Sequence, residues 1–278
     1  MLIAESGSTK TEWRYCRAGK VERSFKSPGF NPNVMSREKI LAQFQEVKTQ
    51  YLSDLSAGQI FFYGAGTRGE AQNRTVTEAI AAIFPGAEIF VGYDLLAAAR
   101  STMRGEGIAC ILGTGSNSCL HKGGEIVEIH GGLGYIFGDE GSGGDLGKHL
   151  MKGMLQDDFP VEVKEKILRK EAKSLDQLKM DIIIDPKPNV KMASLAAYIP
   201  ELIHIQEIEQ MVVNRFLAFL DTTVLKMNNY VDLPLDFIGS VGYYFSDQVK
   251  QACKQRGLKP MSFVKDPIDK LVEYHLKD

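Results

Sequence analysis

The chain begins with an apolar segment and an alternating segment on either side of a loop of small residues. Residues 2–3 are apolar and lead into the loop at residues 5–11. Residues 12–17 alternate polar with aromatic or apolar side chains, which is the period of a half-buried strand. Residues 18–20 can form a turn, and residues 21–25 can return as a strand. The pattern predicts a β-meander that carries the small-residue loop at its first turn.

Helical and strand patterns alternate after this meander. Ser36 can cap a helix in which Ile40, Phe44, Val47 and Tyr51 recur at helical spacing. Further strands are predicted at residues 59–63 and 87–93, and further helices at residues 75–84 and 95–103. Strands that alternate with helices indicate an α/β layer structure.

The second part of the chain repeats the order of the first. A strand at residues 108–112 runs into a second loop of small residues, Gly113-Thr114-Gly115-Ser116-Asn117-Ser118. Glycines 123 and 124 turn the next strand, and residues 125–129 return. Matching the two loops by sequence sets Gly7-Ser8 against Gly115-Ser116. We therefore expect two related halves that face each other, with a boundary near residues 105–107.

The remaining residues are mostly helical. A glycine-rich segment spans residues 131–147, and a long apolar-periodic stretch at residues 206–230 predicts one helix. Strands are predicted at residues 235–238 and 261–264, and a last helix at residues 268–275.

Composition narrows the class of protein. With 278 residues the chain is long enough for two domains of ordinary size. The net charge of −2 gives no basic field that would attract nucleic acid. The start has no basic segment of the signal-peptide type, and no apolar run is long enough to span a membrane, so we expect a cytoplasmic protein without a membrane partner. Four cysteines without CxxC spacing argue against zinc and disulfides, and predict small buried apolar residues.

The two small-residue loops are candidates for phosphate binding. The familiar P-loop needs a glycine directly before its lysine, and here Thr9 precedes Lys10, so that template does not apply. Loops at the ends of equivalent hairpins could still hold a polyphosphate from both sides of a cleft, through backbone N–H groups and hydroxyls. One such loop alone is more typical of a structural turn. The pair in a repeated context favours phosphate binding.

These loops, together with Gly131-Gly132-Leu133-Gly134-Tyr135-Ile136-Phe137-Gly138-Asp139-Glu140-Gly141-Ser142, resemble the motifs of N-acetylglucosamine kinases. Those enzymes belong to the BadF/BadG/BcrA/BcrD ATPase family, in the superfamily of sugar kinases, actin and heat-shock chaperones. The resemblance covers nearly the whole chain in order. It implies an α/β fold of two ribonuclease H-like (actin-like) domains with a nucleotide cleft between them. The domains would span residues 1–105 and 106–278, with the option that the last helix packs back on the first.

The resemblance also implies an activity and its cofactors. The activity is ATP-dependent phosphorylation of an amino sugar, with N-acetylglucosamine as the favoured acceptor and ATP and Mg²⁺ as cofactors. Gly7, Ser8, Thr9, Lys10, Thr11, Gly113, Thr114 and Gly115 would line the phosphates, and Gly239 and Ser240 would adjoin the adenosine. Asn31, Ser116, Asn117 and Asp139 would contact the sugar. Glu5 stands where the family usually has Asp, and it would be the metal ligand.

Asp94 is the candidate general base. It follows the strand predicted at residues 87–93, and α/β folds present ligand-binding groups at the carboxyl ends of strands. By resemblance it takes the proton of the attacking sugar hydroxyl. Its alternative role is to cap the helix that follows, which Asp suits well.

Other interpretations remain open at several positions. Asn31 precedes Pro32 and could be an ordinary turn residue, and Glu140 could be a solvated neighbour of a turn. Leu133 stands where relatives often carry Trp, so a hexosamine, an N-acetylhexosamine or another polyol remains possible as the acceptor. A homodimer is one option for the assembly.

Two rival functions come from different classes. One is an activator ATPase of 2-hydroxyacyl-CoA dehydratases, which would need cysteine ligands for an iron–sulfur cluster, and the scattered cysteines offer no obvious pair. The other is a sensor that binds nucleotide and sugar without turnover. A DNA-binding regulator is disfavoured, since no basic helix-turn-helix segment is present.

Overall fold

The structure is a computed structural model that describes residues 1–7 and 9–277. The predicted phosphate-binding residue Ser8 lies outside the described residues. The chain divides into two compact units. The first contains Met1–Arg104 and Pro267–Asp278, and the second contains Gly105–Asp266.

The strands are β1 (Leu2–Ser6), β2 (Lys10–Arg17), β3 (Lys20–Pro28), β4 (Gln59–Gly64), β5 (Glu88–Tyr93), β6 (Glu106–Leu112), β7 (Ser116–Lys122), β8 (Glu125–Gly131), β9 (Leu235–Ile238) and β10 (Pro260–Val264). The helices are α1 (Arg37–Tyr51), α2 (Glu70–Ile83), α3 (Asp94–Ser101), α4 (Gly134–Phe137), α5 (Gly143–Gln156), α6 (Val161–Glu171), α7 (Leu175–Ile183), α8 (Pro188–Leu195), α9 (Gln206–Thr222), α10 (Ser240–Tyr244), α11 (Ser246–Gln255) and α12 (Ile268–Lys277). Short 3-10 helices occupy Ala196–Glu201, Val224–Lys226 and Tyr230–Asp232.

Each unit is built on a five-stranded mixed sheet, and the two sheets have the same topology. The first has the order β3-β2-β1-β4-β5, and the second, read from its other edge, has the order β8-β7-β6-β9-β10. In both, an antiparallel meander is extended by two parallel strands. The predicted α/β fold and the predicted meander are thus confirmed.

The core of the first unit follows from the alternation along its strands. Trp13 of β2 is buried, and its ring stacks on Phe25 with the ring centroids 5.7 Å apart. Phe44 meets the same indole edge-on from α1. The helix α1 begins as predicted, because Ser36 Oγ accepts a hydrogen bond from the Lys39 amide at 3.4 Å.

The last helix, α12, belongs to the first unit. Its buried residues Ile268, Leu271 and Val272 face the unit, and α12 lies against β1, β2 and α3. The ring of His275 stacks on Phe61 with centroids 3.8 Å apart. Apolar burial along one helical face therefore joins a segment from the end of the chain to the sheet formed at its beginning.

The second unit corrects one expectation. The predicted helix at residues 206–230 ends as α9 at Thr222, because the next residue, Thr223, leaves the helical region with φ −125° and ψ −80°. The Thr223 hydroxyl donates to the Phe219 carbonyl at 2.6 Å. The apolar pattern continues past this end because Val224 and Met227 are also buried, in a short 3-10 segment and just after it.

All four cysteines are buried, which confirms their interpretation as small apolar core residues. Within residues 1–7 and 9–277, no helix combines the length and apolar character that crossing a membrane requires.

Candidate active site

In the first unit, three parallel strands end at one edge of the sheet. Ser6 at the end of β1 pairs with Gly64 of β4, and Gly64 pairs with Tyr93 of β5. The residues that follow these strands, among them Gly7 and Asp94, therefore begin at the same edge. Carboxyl ends of parallel strands are the usual place for ligand-binding groups in α/β folds.

Backbone hydrogen bonds fix the first small-residue loop. The Gly7 amide donates to the Lys10 carbonyl at 3.0 Å, and the Gly29 amide donates to the Thr9 carbonyl at 3.1 Å. The Thr11 hydroxyl is buried, where it shares a 2.7 Å hydrogen bond with Ser6 Oγ. The structure thus places the predicted phosphate ligand Thr11 at the base of the loop, where its hydroxyl joins β2 to β1.

Lys10 contacts a carboxylate that sequence reasoning missed. Lys10 Nζ donates to Glu12 Oε1 at 2.8 Å, and Lys26 Nζ lies 2.9 Å from the same oxygen. Burial raises the pKa of Glu12, but the bonds to both lysines outweigh it and hold this pKa below the ordinary value. The signal was available in the sequence, since residues two apart in a strand share a face.

Glu5, the predicted metal ligand, lies in β1 directly opposite Glu12 in the strand register. Opposite residues of antiparallel strands project from the same face of a sheet. The structure therefore groups Glu5 and Glu12 with Lys10 on one face of the meander.

Asn31 lies beside the end of β4. A Cβ atom placed on Gly66, whose φ is +79°, would lie 2.6 Å from Asn31 Oδ1, so a side chain there would be strained and would displace the Asn31 amide. Asn31 Oδ1 also accepts a hydrogen bond from the Asn33 amide at 3.0 Å. The turn interpretation of Asn31 is therefore realised, at the same edge of the sheet as the loop after β1.

Asp94 is the first residue of α3, while Tyr93 takes the cap position. Its Oδ1 accepts a hydrogen bond from the Leu95 amide at 2.9 Å. Burial raises the pKa of Asp94, and the backbone hydrogen bonds offset this only in part. A carboxylate with a raised pKa binds a proton more readily, which suits a general base.

In the second unit, the loop after β6 spans residues 113–115, since Leu112 pairs with Ser116 across the hairpin. In the first unit the equivalent pair is Ser6 with Thr11. The structural counterpart of Gly7 is therefore Gly113, and matching Gly7-Ser8 with Gly115-Ser116 was wrong by two residues. The two hairpin loops differ in length, which sequence matching alone could not show.

The loop at residues 113–115 rests on the start of α5. The Gly143 amide donates to the Gly113 carbonyl at 2.8 Å, and the Gly144 amide donates to the Thr114 carbonyl at 3.1 Å. These bonds use amides at the helix start that have no partner within the helix. They fix the loop on a rigid element.

Asp139 lies directly over this loop. Its Oδ1 accepts a hydrogen bond from the Ser116 amide at 3.3 Å, and a Cβ atom on Gly115 would lie 2.9 Å from its Oδ2. Burial raises the pKa of Asp139, as do the neighbouring carboxylates of Glu140 and Asp145. The structure thus brings Asp139 to Gly115 and Ser116, although it follows Ser116 by 23 residues in the sequence.

Asn117 fits against a glycine pair. A Cβ atom on Gly132, whose φ is +66°, would lie 2.6 Å from Asn117 Nδ2. The Gly132 amide donates to the Ser116 carbonyl at 3.3 Å, which closes this segment onto β7. The glycine-rich segment therefore makes room for the predicted sugar-contacting amide.

The predicted adenosine motif adjoins the same loop. Gly239 has φ +114°, and a Cβ atom there would lie 2.4 Å from the Leu112 carbonyl oxygen. Its amide donates to the Val264 carbonyl at 2.8 Å, and Ser240 begins α10. Close backbone approach thus requires glycine at residue 239, next to the residue that precedes Gly113.

Packing against the described residues does not require glycine at residues 7 and 113. A Cβ atom there would make only ordinary van der Waals contacts, with the Lys10 carbonyl oxygen at 3.7 Å and the Gly115 carbonyl oxygen at 3.9 Å. In the described part of the chain, no group of three or more His, Cys, Asp or Glu side chains could hold a metal ion. Mg²⁺ commonly keeps several waters and binds through one or two carboxylates and substrate phosphates, so single carboxylates such as Glu5 fit that mode.

Asp145 and Arg215 are further residues that sequence reasoning missed. The Arg215 Nε donates to Asp145 Oδ2 at 2.6 Å, and the Asp145 side chain is only 3% exposed. Asp145 lies three residues after Ser142, which accepts a hydrogen bond from its amide at 3.1 Å. The Ser-x-x-Asp spacing could have indicated the start of α5, but no local pattern points to Arg215.

Two sheets of equal strand order, each with a glycine loop at its first hairpin, define the fold of the actin-like sugar kinases. The chain matches the structure of a candidate N-acetylglucosamine kinase from Porphyromonas gingivalis with a TM-score of 0.93 and 36% identity, over 100% of this chain and 99% of that chain. A candidate N-acetylglucosamine kinase from Chromobacterium violaceum matches at a TM-score of 0.74 and 16% identity, over 98% of each chain. No family model and no curated protein matches the chain.

A more distant match shows the fold alone. A glucokinase of the ROK family from Streptomyces griseus, in complex with glucose and AMPPNP, matches at a TM-score of 0.54 and 14% identity, over 99% of this chain and 98% of that chain.

The chain belongs to the N-acetylglucosamine kinase-like family within the actin-like sugar kinase superfamily. It is a carbohydrate kinase by class.

Proposed function

We propose that the protein transfers the γ-phosphoryl group of ATP to a hydroxyl of an amino sugar, with N-acetylglucosamine as the favoured acceptor. The observation that carries this proposal is the placement of Asp94. It lies at the carboxyl edge of the first sheet, the edge that also bears the Gly7 loop, and burial raises its pKa. The names of the Porphyromonas gingivalis and Chromobacterium violaceum proteins favour an N-acetylated hexosamine.

In the proposed reaction, Asp94 accepts the proton of the acceptor hydroxyl as that oxygen attacks the γ-phosphorus. The new oxygen–phosphorus bond forms while the bond between the γ-phosphorus and the β,γ-bridging oxygen breaks. ADP leaves with the electron pair of that bond. General-base assistance of this kind contributes about 10²–10⁴-fold to a rate.

The other predicted residues receive binding roles in this proposal. The loops that begin at Gly7 and Gly113 would bind phosphates through backbone amides, and Gly239 would allow the adenosine to approach the backbone. The sugar contacts would come from Asn31, Ser116, Asn117 and Asp139. Mg²⁺ would neutralise phosphate charge, with Glu5 as the residue that holds it through water. Since ATP is the donor, we place the reaction in the cytoplasm.

A coupled ADP-release assay with Mg-ATP tests the proposal. The acceptors are N-acetylglucosamine, N-acetylmannosamine, glucosamine, N-acetylmuramic acid and glucose. We expect the highest kcat/KM for N-acetylglucosamine, and ATP hydrolysis without sugar to remain at background. No turnover with any acceptor, in protein shown by calorimetry to bind ATP and sugar, would instead favour a sensor that binds nucleotide and sugar without turnover.

A further inference from the structure

The loop at residues 138–142, which carries Asp139, is anchored at Gly141. The Gly141 amide donates to Asp145 Oδ2 at 3.0 Å. Gly141 has φ +70°, and a Cβ atom there would lie 3.1 Å from Phe219 Cβ and 3.4 Å from the Arg215 carbonyl oxygen. The loop therefore passes directly over α9, and the Asp145 carboxylate holds it there.

The oxygen that accepts from Gly141 also binds Arg215. Arg215 Nε donates to Asp145 Oδ2 at 2.6 Å, and His149 Nδ1 lies 3.2 Å from Oδ1. Burial raises the pKa of Asp145, but its bonds to His149, Arg215 and Gly141 hold this pKa below the ordinary value. The carboxylate is thus ionised at neutral pH, and one oxygen connects α9 to the loop.

Asp139 itself depends on such support. Its backbone φ of +63° lies in the left-handed region, which Asp adopts more readily than most residues other than glycine but still seldom, so contacts that fix the backbone here favour it. The Asp139 carbonyl accepts from the Ser142 amide at 3.1 Å, and its carboxylate accepts from the Ser116 amide. Gly141, whose amide binds Asp145, lies between Asp139 and Ser142 in the chain.

We infer that Asp145 and Arg215 form a positioning pair that holds the Asp139 loop and thereby sets the affinity for the sugar. This inference rests on the proposed role of Asp139 in binding the sugar. Neither member of the pair is assigned a contact with substrate. Both act through the Gly141 amide and the backbone of the loop.

Arg215 is the better member to change. Its side chain is 21% exposed and borders a groove of about 610 Å³ between α5 and α9, which His149 and Gln210 also line. Shortening the side chain therefore enlarges an open groove and leaves no sealed cavity in the core. Arg215→Gln removes the charge, and Arg215→Lys keeps the charge but loses the planar guanidinium.

A matched control lies on the same helix. Asp221 of α9 pairs with Arg256 through two hydrogen bonds of 2.6 and 2.7 Å. Asp221→Asn removes a different Asp–Arg pair of the same helix, one whose carboxylate is 42% exposed and which makes none of the bonds described for the loop. Any effect of losing an ion pair on α9 in general will appear in this variant as well.

Titration calorimetry with N-acetylglucosamine measures the sugar Kd without turnover, and steady-state kinetics measure the KM values. We expect Arg215→Gln to raise the sugar Kd and KM by about tenfold or more, the change that loss of a well-placed hydrogen bond of about 1.4 kcal/mol would produce. Arg215→Lys should lie between this variant and the wild type. The KM for ATP should stay within about twofold in all variants, and Asp221→Asn should match the wild type for both ligands.

Amide hydrogen exchange gives a readout that does not depend on sugar binding. Exchange at residues 139–142 should be faster in Arg215→Gln, with no change in Asp221→Asn. Unchanged exchange and an unchanged sugar Kd in Arg215→Gln would overturn the inference, as would an equal loss of affinity for both ligands. If the wild type binds no sugar although Arg215→Gln speeds exchange at the loop, the proposed function fails while the anchor itself stands.

Discussion

The surroundings of Asp94 and Asp145 shift the pKa values of these two carboxylates in opposite directions. Around Asp94, burial dominates, and the only compensation comes from backbone amides, so its pKa lies above the ordinary 3.8. Around Asp145, burial is outweighed by His149 and Arg215, so its pKa lies below that value. The first arrangement suits a group that must accept a proton, and the second suits a group that must stay charged.

This contrast predicts the order of events on acidification. Activity should fall as the pH drops through the raised pKa of Asp94, because its base form is lost. Asp145 contributes stability above the pKa that it has in the unfolded chain, and this contribution disappears only as the pH falls through its lowered pKa in the folded protein. A pH profile of kcat/KM, measured beside circular dichroism, should show activity lost while the fold persists. Simultaneous loss of both signals would contradict the assignment.

Two glycines in the second unit should respond differently to alanine. At Gly113 a Cβ atom meets nothing closer than 3.9 Å, so Gly113→Ala should fold normally and weaken ATP binding by filling the loop. At Gly239 a Cβ atom would lie 2.4 Å from the Leu112 carbonyl oxygen, at φ +114°. Gly239→Ala should therefore lower the free energy of unfolding by about 1–3 kcal/mol or more.

Urea unfolding and titration calorimetry with ATP separate these two effects. ATP binding by Gly113→Ala as tight as that of the wild type would rule out the phosphate role of residue 113, and wild-type stability of Gly239→Ala would rule out the need for glycine at residue 239.

At the scale of elements, the sequence predicted most of the fold because its signals are local. Alternation revealed β2, and Ser36 with the apolar residues after it revealed α1. The repeated meander followed from two copies of the same pattern of strands and glycine turns. Periodicity and capping act within a few residues, so they can be read without the tertiary structure.

The sequence could not show what depends on distant contacts. The end of α9 was missed because apolar burial continues beyond Thr222 in another conformation. The structural equivalence of Gly7 and Gly113 follows from the registers of the two hairpins, which the loop sequences do not fix. Arg215 and Asp145 are 70 residues apart, and the packing of α9 against α5 brings them together.

The helix α12 offers a test of how the end of the chain supports the first sheet. Leu271 is fully buried, whereas Leu276 on the same helix is 41% exposed. Leu271→Ala should lower the free energy of unfolding by about 2–5 kcal/mol, as expected for a buried leucine. Leu276→Ala should change it by no more than about 0.5 kcal/mol. Urea titrations of both variants measure the difference, and equal effects would show that α12 does not pack as described.

At the scale of the whole molecule, the same five-stranded sheet occurs twice with different chemistry at the ends of its strands. The first unit carries Asp94 and the Gly7 loop, and the second carries Asp139, the Gly113 loop and the Gly239 turn. A repeated scaffold can thus keep its core while its loops take on separate roles. The net charge of −2 fits a protein that recognises its ligands through local groups rather than through an overall field.

Asp94 is the proposed base for phosphoryl transfer to an amino sugar. The most direct measurement compares Asp94→Asn with the wild type in the ADP-release assay with N-acetylglucosamine, beside calorimetric binding of ATP and sugar. We predict that kcat falls by about 10²-fold or more while both Kd values stay within about threefold. Retention of the wild-type kcat by Asp94→Asn would exclude Asp94 as the base.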